Sequence, residues 1–467
     1  VESPENGGKK KTYRLGDRVT ANIQGEYYFG GPVSDANVEV VVYQNALYHT
    51  WRPKKEFPWF YGDMIWPGNS YDGGGQIIKR EVLKTDASGK ASVTFDTPRG
   101  TQDFEYRIEA RMTDASRREI IGSEKVRVTR QSYYVYLNAD HCLYRPQEKA
   151  TLHIQALDAN ESPMKVSGTV RVTREYWSET PKFRGYETEE VLTRTVQTDA
   201  EGKADFIFTP AEEGYYRVAW RSEDDRQSVI KAETTVWAAD NKTTELGYRQ
   251  GGVEIIADKD TFRAGEKAPV MLSVPTNDRY VLFTIEGEDL YEAQVIHVEG
   301  NVKLVQIPIS EKHVPNIFLN AVMVSDHQIY TDAEQIIVPP VENFLDVQVE
   351  SDKSEYRPQE EGALIVTTKN HDGKPVRAEV ALSLTDDAVA YIQEDLAGDP
   401  RQFFYGTKRQ QLVQTFSTYQ QKSYVRWMED EDKNLVDEKY LSQKNEKVGN
   451  KISGVGEGEG YPTAGPN

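Results

Sequence analysis

The 467-residue sequence has few of the residues on which several kinds of functional site depend. Its single cysteine, Cys142, excludes disulfides within the chain and any multi-thiolate zinc or iron–sulfur site. No stretch approaches the roughly 18 consecutive apolar residues of a membrane-spanning helix. We therefore expect no membrane span. The polar start at Val1, with neither an initiator Met nor an apolar signal core, predicts a fragment or a processed product.

Motifs for catalysis and metal binding are also missing. The seven histidines are scattered and include no pair at i,i+4 spacing, which argues against a shared metal site. No Gly-x-Ser-x-Gly, phosphate loop or dinucleotide fingerprint occurs. His141 and Cys142 are adjacent, and neighbours on a strand point to opposite sides, so they predict no nucleophile pair. We expect no enzyme activity, no catalytic or metal-binding residue and no cofactor.

Negative charge dominates the sequence. Asp and Glu number 75 against 56 Lys and Arg, which gives a formal net charge of −19 at pH 7. No basic stripe offsets this excess, and a chain of that sign repels the phosphate backbone. Nucleic acid is therefore not an expected partner.

Alternation of apolar and polar residues predicts an all-β fold. Phe104, Tyr106, Ile108, Ala110 and Met112 occupy every second position, as in a strand with one buried face. Similar segments recur along the chain and are separated by turns rich in Asp and Gly. Many short antiparallel strands joined by such turns favour immunoglobulin-like β-sandwiches.

A short phrase, here called the corner phrase, repeats before four of these segments. Each copy has an aromatic residue, an arginine, a turn pair and then an acid: Thr12–Val19, Leu143–Ala150, Thr261–Ala268 and Glu355–Gly362. The copies lie about one sandwich apart, which predicts a tandem array of about four related domains. We expect the aromatic residues Tyr144, Phe262 and Tyr356 to be core residues.

The phrases and linkers predict five segments. β-Sandwiches are expected at 12–130, 131–240, 241–340 and 341–427, the first with an aromatic insertion. The sequence leaves open whether the last is complete, and Asp386 or Asp387 is expected to cap a short helix in it. Residues 428–467 are rich in acid, Lys, Asn and Gly, which predicts a disordered tail.

Two segments are candidates for function. The insertion Tyr48–Tyr71 is dense in aromatic residues that could form a contact surface, among them Trp51, Trp59, Tyr61 and Trp66. The alternative is that these aromatic side chains pack back onto their own sandwich.

The tail is the second candidate, because it carries lysines that a trypsin-like protease could reach. The alternative is an ordinary solvated tail. These protease-susceptible residues are Lys433, Lys439, Lys444, Lys447 and Lys451.

Together these features resemble the α2-macroglobulin/complement superfamily. The corner phrases are similar to the family's Tyr-x-Pro-Gly mark, although Gln147 and Gln359 stand where the family prefers Gly. Gly25–Val33 with Ala36–Val38 resembles the third macroglobulin domain, and the segments 384–389 and 399–405 resemble the sixth domain of bacterial members. The resemblance covers residues 12–427, approximately domains three to six.

The resemblance implies the non-catalytic scaffold of a protease trap. Bait segments in this family lie within or beside the sixth macroglobulin domain, where the 428–467 tail stands. The thioester sequence Cys-Gly-Glu-Gln is absent from this chain. Implied partners are target proteases and the remaining macroglobulin and thioester domains, in an extracellular, periplasmic or cell-envelope location. The alternative is an adhesive or carbohydrate-binding array that uses the Trp51–Tyr71 loop, with a glycosidase as a distant third.

Overall fold

The structure is a computed structural model. It describes residues 5–6, 9–28, 30–53, 60, 75–114, 116–180, 183–248, 251–325, 328–357, 360–384, 400–411, 427–429 and 435–437. Regular structure in these residues is nearly all antiparallel β, and the predicted all-β class of tandem sandwiches is confirmed. Two compact units contain, respectively, residues 1–175 with 186–238 and residues 176–185 with 239–467. No helix in the described ranges is long and apolar enough to span a membrane.

Sandwich 1, in the first unit, follows a short pair formed by β1 and β2. Its five-stranded sheet has the order β3-β9-β8-β5-β6 and packs on the pair β4-β7. The strands are β1 Glu5–Asn6, β2 Lys9–Lys10, β3 Tyr13–Arg14, β4 Arg18–Gln24, β5 Asn37–Leu47, β6 Gln76–Lys84, β7 Lys90–Asp96, β8 Asp103–Thr113 and β9 Glu119–Thr129. The predicted alternation holds, because Val19, Ala21 and Ile23 of β4 are buried against Tyr106 and Ile108 of β8.

Sandwich 2, which belongs to the first unit except for residues 176–185, repeats this plan. A five-stranded sheet with the order β11-β17-β16-β13-β14 faces a three-stranded sheet with the order β10-β12-β15. The strands are β10 Tyr133–Ala139, β11 Leu143–Tyr144, β12 Ala150–Asp158, β13 Ser167–Thr180, β14 Phe183–Gln197, β15 Lys203–Phe208, β16 Gly214–Glu223 and β17 Val229–Ala238. Its core is built around Trp220 and Tyr216 of β16 and Leu152 and Ile154 of β12.

Sandwich 3, in the second unit, has four-stranded and three-stranded sheets. Their orders are β21-β20-β23-β24 and β18-β19-β22. The strands are β18 Glu254–Ala257, β19 Lys267–Ser273, β20 Arg279–Glu286, β21 Leu290–Val298, β22 Val302–Pro308, β23 Asn316–Ser325 and β24 Gln328–Ile337. A 3-10 helix, Glu311–His313, connects β22 to β23. Phe262, Phe283 and Met323 lie in the core.

The described chain beyond sandwich 3 contains a second 3-10 helix, one short α-helix and four strands. These are the 3-10 helix Val341–Asn343, β25 Leu345–Ser351, β26 Leu364–Asn370, α1 Pro400–Tyr405, β27 Trp427–Glu429 and β28 Leu435–Asp437. Helix α1 was not predicted; it begins at Pro400, whose fixed φ suits the first helical position. The helix predicted after Asp386 lies outside the described residues.

One pair of strands departs from the predicted disorder of the tail. Strands β27 and β28 pair antiparallel, with Trp427 opposite Asp437 and Met428 opposite Val436. The apolar residues of these strands are few and stand on either side of an acidic stretch. The average composition of the tail therefore did not predict the two strands.

The corner phrase has a common structure in its described copies. Its start runs parallel to the last strand of the same sandwich: β3 pairs with β9, β11 pairs with β17, and Thr261 bridges Ile337. The chain then turns, and the acid of each phrase accepts a hydrogen bond from the backbone N–H three residues earlier. The pairs are Asp17 with Arg14 at 2.9 Å, Glu148 with Arg145 at 2.7 Å, Glu266 with Arg263 at 2.8 Å and Glu360 with Arg357 at 2.8 Å.

The residue before the acid takes a left-handed conformation in three copies. Its φ is 89° at Gly16, 68° at Gln147 and 91° at Gly265. Gln147 therefore adopts the conformation of the glycine that it replaces, and its side-chain Nε2 donates to the Ala211 carbonyl at 2.9 Å. The phrase thus specifies one turn even where glycine is absent.

The expected burial of the aromatic residues holds for Tyr144 and Phe262 but is wrong for Tyr356, which is 40 % exposed. Tyr356 donates its hydroxyl to Asp352 instead. The physical reason is that β25 and β26 pair only with each other among the described strands. Within the described residues this ribbon has no further strand paired to it, and the Tyr356 ring is left partly exposed there.

Replacing Gly265 with alanine is expected to destabilise sandwich 3 by about 1 kcal/mol, because an L-residue is strained at that φ. A Cβ there would meet no atom within 4 Å, so crowding adds nothing. Calorimetric unfolding of the whole chain measures the change in the free energy of unfolding. Hydrogen exchange of β19 and β22 identifies which transition belongs to sandwich 3. Gly265→Asn is the matched control, since asparagine tolerates this region; equal losses for both variants would contradict the explanation.

Candidate functional site

A recess beside Trp51 is the described part of the predicted aromatic surface. The half-buried Trp51 ring lies 5.7 Å from the ring of Tyr136, centroid to centroid, at a tilt of 33°. The recess has a volume of about 270 Å³, and its lining residues are Trp51, Pro53, Val135, Tyr136, Leu137, Asn138, Ala232 and Glu233. Two aromatic rings beside an amide and a carboxylate form a surface on which a polar ring could stack and form hydrogen bonds.

The other predicted aromatic residues are not brought into this recess by the described structure. Trp59, Tyr61 and Trp66 lie outside the described residues. Phe60, within the same insertion, is fully buried. Trp51 is therefore the one residue of the predicted contact surface that lies among the described residues.

The predicted protease-susceptible lysines also lie outside the described residues. Lys433 falls between β27 and β28, and the later lysines follow β28. Their accessibility remains a prediction from the sequence.

Sequence reasoning missed a buried cluster of charges where sandwich 1 meets sandwich 2 in the first unit. Arg14, the arginine of the first corner phrase, has a nearly buried side chain. Its Nη1 lies 2.8 Å from Asp224 Oδ2, and its Nη2 donates to the Arg130 carbonyl at 2.7 Å and to Ser228 Oγ at 2.8 Å. Both nitrogens thus join sandwich 1 to the β16–β17 hairpin and to the linker between the two domains.

Asp224 supplies the acceptor side of this cluster. Its carboxylate accepts backbone N–H groups of Ser132 at 3.0 Å and of Arg226 and Ser228 at 2.9 Å. Burial opposes ionisation of Asp224, but these N–H groups and the charge of Arg14 outweigh it and lower the pKa. In a second ion pair the cation comes from sandwich 2 and the anion from sandwich 1. Arg226 donates to both carboxylate oxygens of Asp17, at 2.9 and 3.2 Å.

Asp103 fixes the linker from the other side. Its Oδ1 accepts the Arg130 backbone N–H at 2.8 Å, and its Oδ2 accepts the hydroxyl of Tyr134. The His49 ring stacks on Tyr134 at 3.7 Å between centroids, with Nε2 3.4 Å from Asp103 Oδ2. Burial works against a charged Asp103, yet the contacts with His49, Tyr134 and Arg130 lower its pKa. The junction is thus a hydrogen-bonded network built around the ionised carboxylates of Asp103 and Asp224.

Comparisons with known proteins find similarity to alpha-2-macroglobulins. Residues 253–392 match the family model of the alpha-2-macroglobulin bait region domain. The alpha-2-macroglobulin homolog of Nostoc sp. is 20% identical over 410 residues, which are 80% of this chain and 21% of that protein. The alpha-2-macroglobulin of Ralstonia nicotianae is 24% identical over 423 residues, 87% of this chain and 24% of that protein. The chain is therefore similar to bacterial alpha-2-macroglobulins over most of its length, and residues 253–392 are similar to their bait region domain.

A solved structure of trypsin-activated alpha-2-macroglobulin from Escherichia coli aligns with 86% of this chain and 28% of that one. The sequence identity is 16% and the TM-score 0.35. The chain spans about a quarter of the length of the curated relatives that it matches. The matched bait region domain includes sandwich 3 and ends before the tail begins at residue 428.

Arg14→Ala is expected to lower the free energy of unfolding of the first unit by about 3 kcal/mol, because it leaves Asp224 buried without its cation. Urea unfolding of the whole chain, followed by hydrogen exchange of β9, β10 and β17, measures the effect. Arg18→Ala is the control, since the Arg18–Asp96 pair is exposed and its loss should change little. The assignment fails if the two variants lose the same stability.

Proposed function

We propose that this chain is a non-catalytic scaffold within an α2-macroglobulin-like protease inhibitor that traps proteases after cleavage of a bait segment. The match of residues 253–392 to the bait region domain carries the proposal. The tail 428–467 is the proposed cleavable segment, and its five lysines are the proposed cleavage sites. Target proteases are the proposed partners, together with further macroglobulin and thioester domains, in an extracellular, periplasmic or cell-envelope location.

Rigid attachment of domains is what such a mechanism requires of a scaffold. The Arg14–Asp224 and Arg226–Asp17 pairs join sandwiches 1 and 2 from both sides, which supports a fixed arrangement in the first unit. A cut in a flexible segment can then release a constraint while the sandwiches remain folded. Because the sequence has no Cys-Gly-Glu-Gln, covalent capture is not among the steps proposed for this chain.

Limited trypsin digestion tests the proposed bait. We expect the first cuts after Lys433, Lys439, Lys444, Lys447 and Lys451, with residues 12–427 left intact, because proteases cleave unpaired and exposed backbone first. Intact-mass spectrometry at early times identifies the products. A variant with all five lysines changed to glutamine is the matched control and should be cut far more slowly. First cuts within the sandwiches of the unaltered chain would refute the assignment.

Carbohydrate binding is a second candidate, and the recess between Trp51 and Tyr136 favours it. On a glycan array, Trp51→Ala should abolish binding because it removes one of the two ring surfaces. Trp59→Ala and Trp66→Ala test whether the rest of the insertion takes part. Tyr28→Ala is the control, since Tyr28 is a fully exposed aromatic residue outside the insertion. No binding by the unaltered chain, or equal binding by Trp51→Ala, would exclude this candidate.

A further inference from the structure

Residues 406–411, here called the strap, follow helix α1 and lie on sandwich 3 within the second unit. Asn316, the first residue of β23, is fully buried and holds the strap by its side chain. Its Oδ1 accepts the Arg409 backbone N–H at 2.7 Å, and its Nδ2 donates to the Arg409 carbonyl at 3.0 Å. One carboxamide thus satisfies both polar groups of one strap residue, as a neighbouring strand would.

Further polar contacts complete the attachment. The Arg409 Nη1 donates to the Asn316 carbonyl at 3.0 Å and to the His313 carbonyl at 3.4 Å. The Gln411 amide donates to Asn320 on the same strand. These contacts are hydrogen bonds at the surface of an already complete sandwich core, and segments held in this way open at a lower free energy than core strands.

His313 lies beneath the strap and is 4 % exposed. Its Nδ1 accepts the Ser310 backbone N–H at 3.2 Å, which requires this nitrogen to be unprotonated. Its ring is 5.5 Å from that of Tyr291 in β21, whose hydroxyl donates to the Lys312 carbonyl. The charged residues next to it are Glu311 and Lys312 of its own helical turn and Arg409 of the strap. In the described part of the chain no ion pair joins His313 to a carboxylate.

Protonation of His313 would conflict with this arrangement in two ways. Nδ1 would become a donor that faces the Ser310 N–H, and a third positive charge would join Lys312 and Arg409. Burial, followed by the charges of Lys312 and Arg409, lowers the pKa of His313. The docked state is therefore fully favoured above the ordinary histidine pKa of about 6.5 and loses that advantage as the pH falls.

We propose that the strap is an acid-released latch, in which protonation of His313 frees residues 406–411 from sandwich 3. Above neutral pH the Asn316 clamp fixes the chain at Arg409, and at acidic pH the clamp opens while sandwich 3 stays folded. The proposal does not depend on the tail being a bait segment.

Hydrogen exchange of the whole chain at pH 7.5 and pH 5.0, corrected for intrinsic rates, tests the latch. The readout is protection of the Arg409 amide, the donor to Asn316. We expect it to fall about tenfold at pH 5.0, the size expected from the loss of one hydrogen bond, while β20 and β23 stay protected. Unchanged protection at pH 5.0 would overturn the proposal.

His313→Gln should abolish this pH dependence, because glutamine stays neutral, whereas Asn316→Ala should remove protection at both pH values. His297→Gln is the control; this more exposed histidine of the same sandwich pairs with Asp278 at 2.8 Å. A pH-dependent loss that persists in His313→Gln would overturn the proposal. If His313→Gln unfolds β23, Arg409→Met is the variant to measure instead. Removing the neighbouring cation should reduce the loss of amide protection at residue 409 on going to pH 5.0. An undiminished loss would contradict the latch.

Discussion

The hydrogen bond from an arginine N–H to the carboxylate three residues later determines how each β-unit begins. It holds the turn that follows the parallel pairing with the last strand of the same sandwich, so the first and last parts of a sandwich are closed together. The acceptor is Asp17 in one copy and Glu148 or Glu266 in others. Because the bond uses only the backbone of the arginine, each arginine side chain is left for another role.

Arg14 uses its backbone for the turn and its side chain for a contact with another domain. Its backbone closes sandwich 1, while its guanidinium reaches Asp224 in the hairpin of sandwich 2. Asp224 in turn uses the same carboxylate to hold its own hairpin and the backbone of Ser132 in the linker. The residues that shape the individual sandwiches therefore also fix the junction between them, which couples local folding to domain arrangement.

Local patterns made much of the fold predictable, because strand alternation and turn chemistry are properties of neighbouring residues. Tyr356 was wrongly predicted because burial depends on a facing layer that its own phrase does not encode. The Arg14–Asp224 pair could not be foreseen, since 210 residues separate its members and the corner phrase around Arg14 does not indicate a distant partner. For the same reason, Trp51 was recognisable as an aromatic candidate, but its neighbour Tyr136 in another domain was not.

Several acidic residues have a structural role in the described turns. In four turns a single carboxylate accepts two backbone N–H groups, and these carboxylates belong to Asp86, Asp114, Asp158 and Asp224. Asn370 plays the same role with a neutral side chain, so the turns require an acceptor rather than a charge. Acids distributed in this way are separated from one another, and in the described residues no three His, Cys, Asp or Glu side chains are grouped as metal ligands. Part of the acid content of the described residues therefore serves as hydrogen-bond acceptors in separate turns.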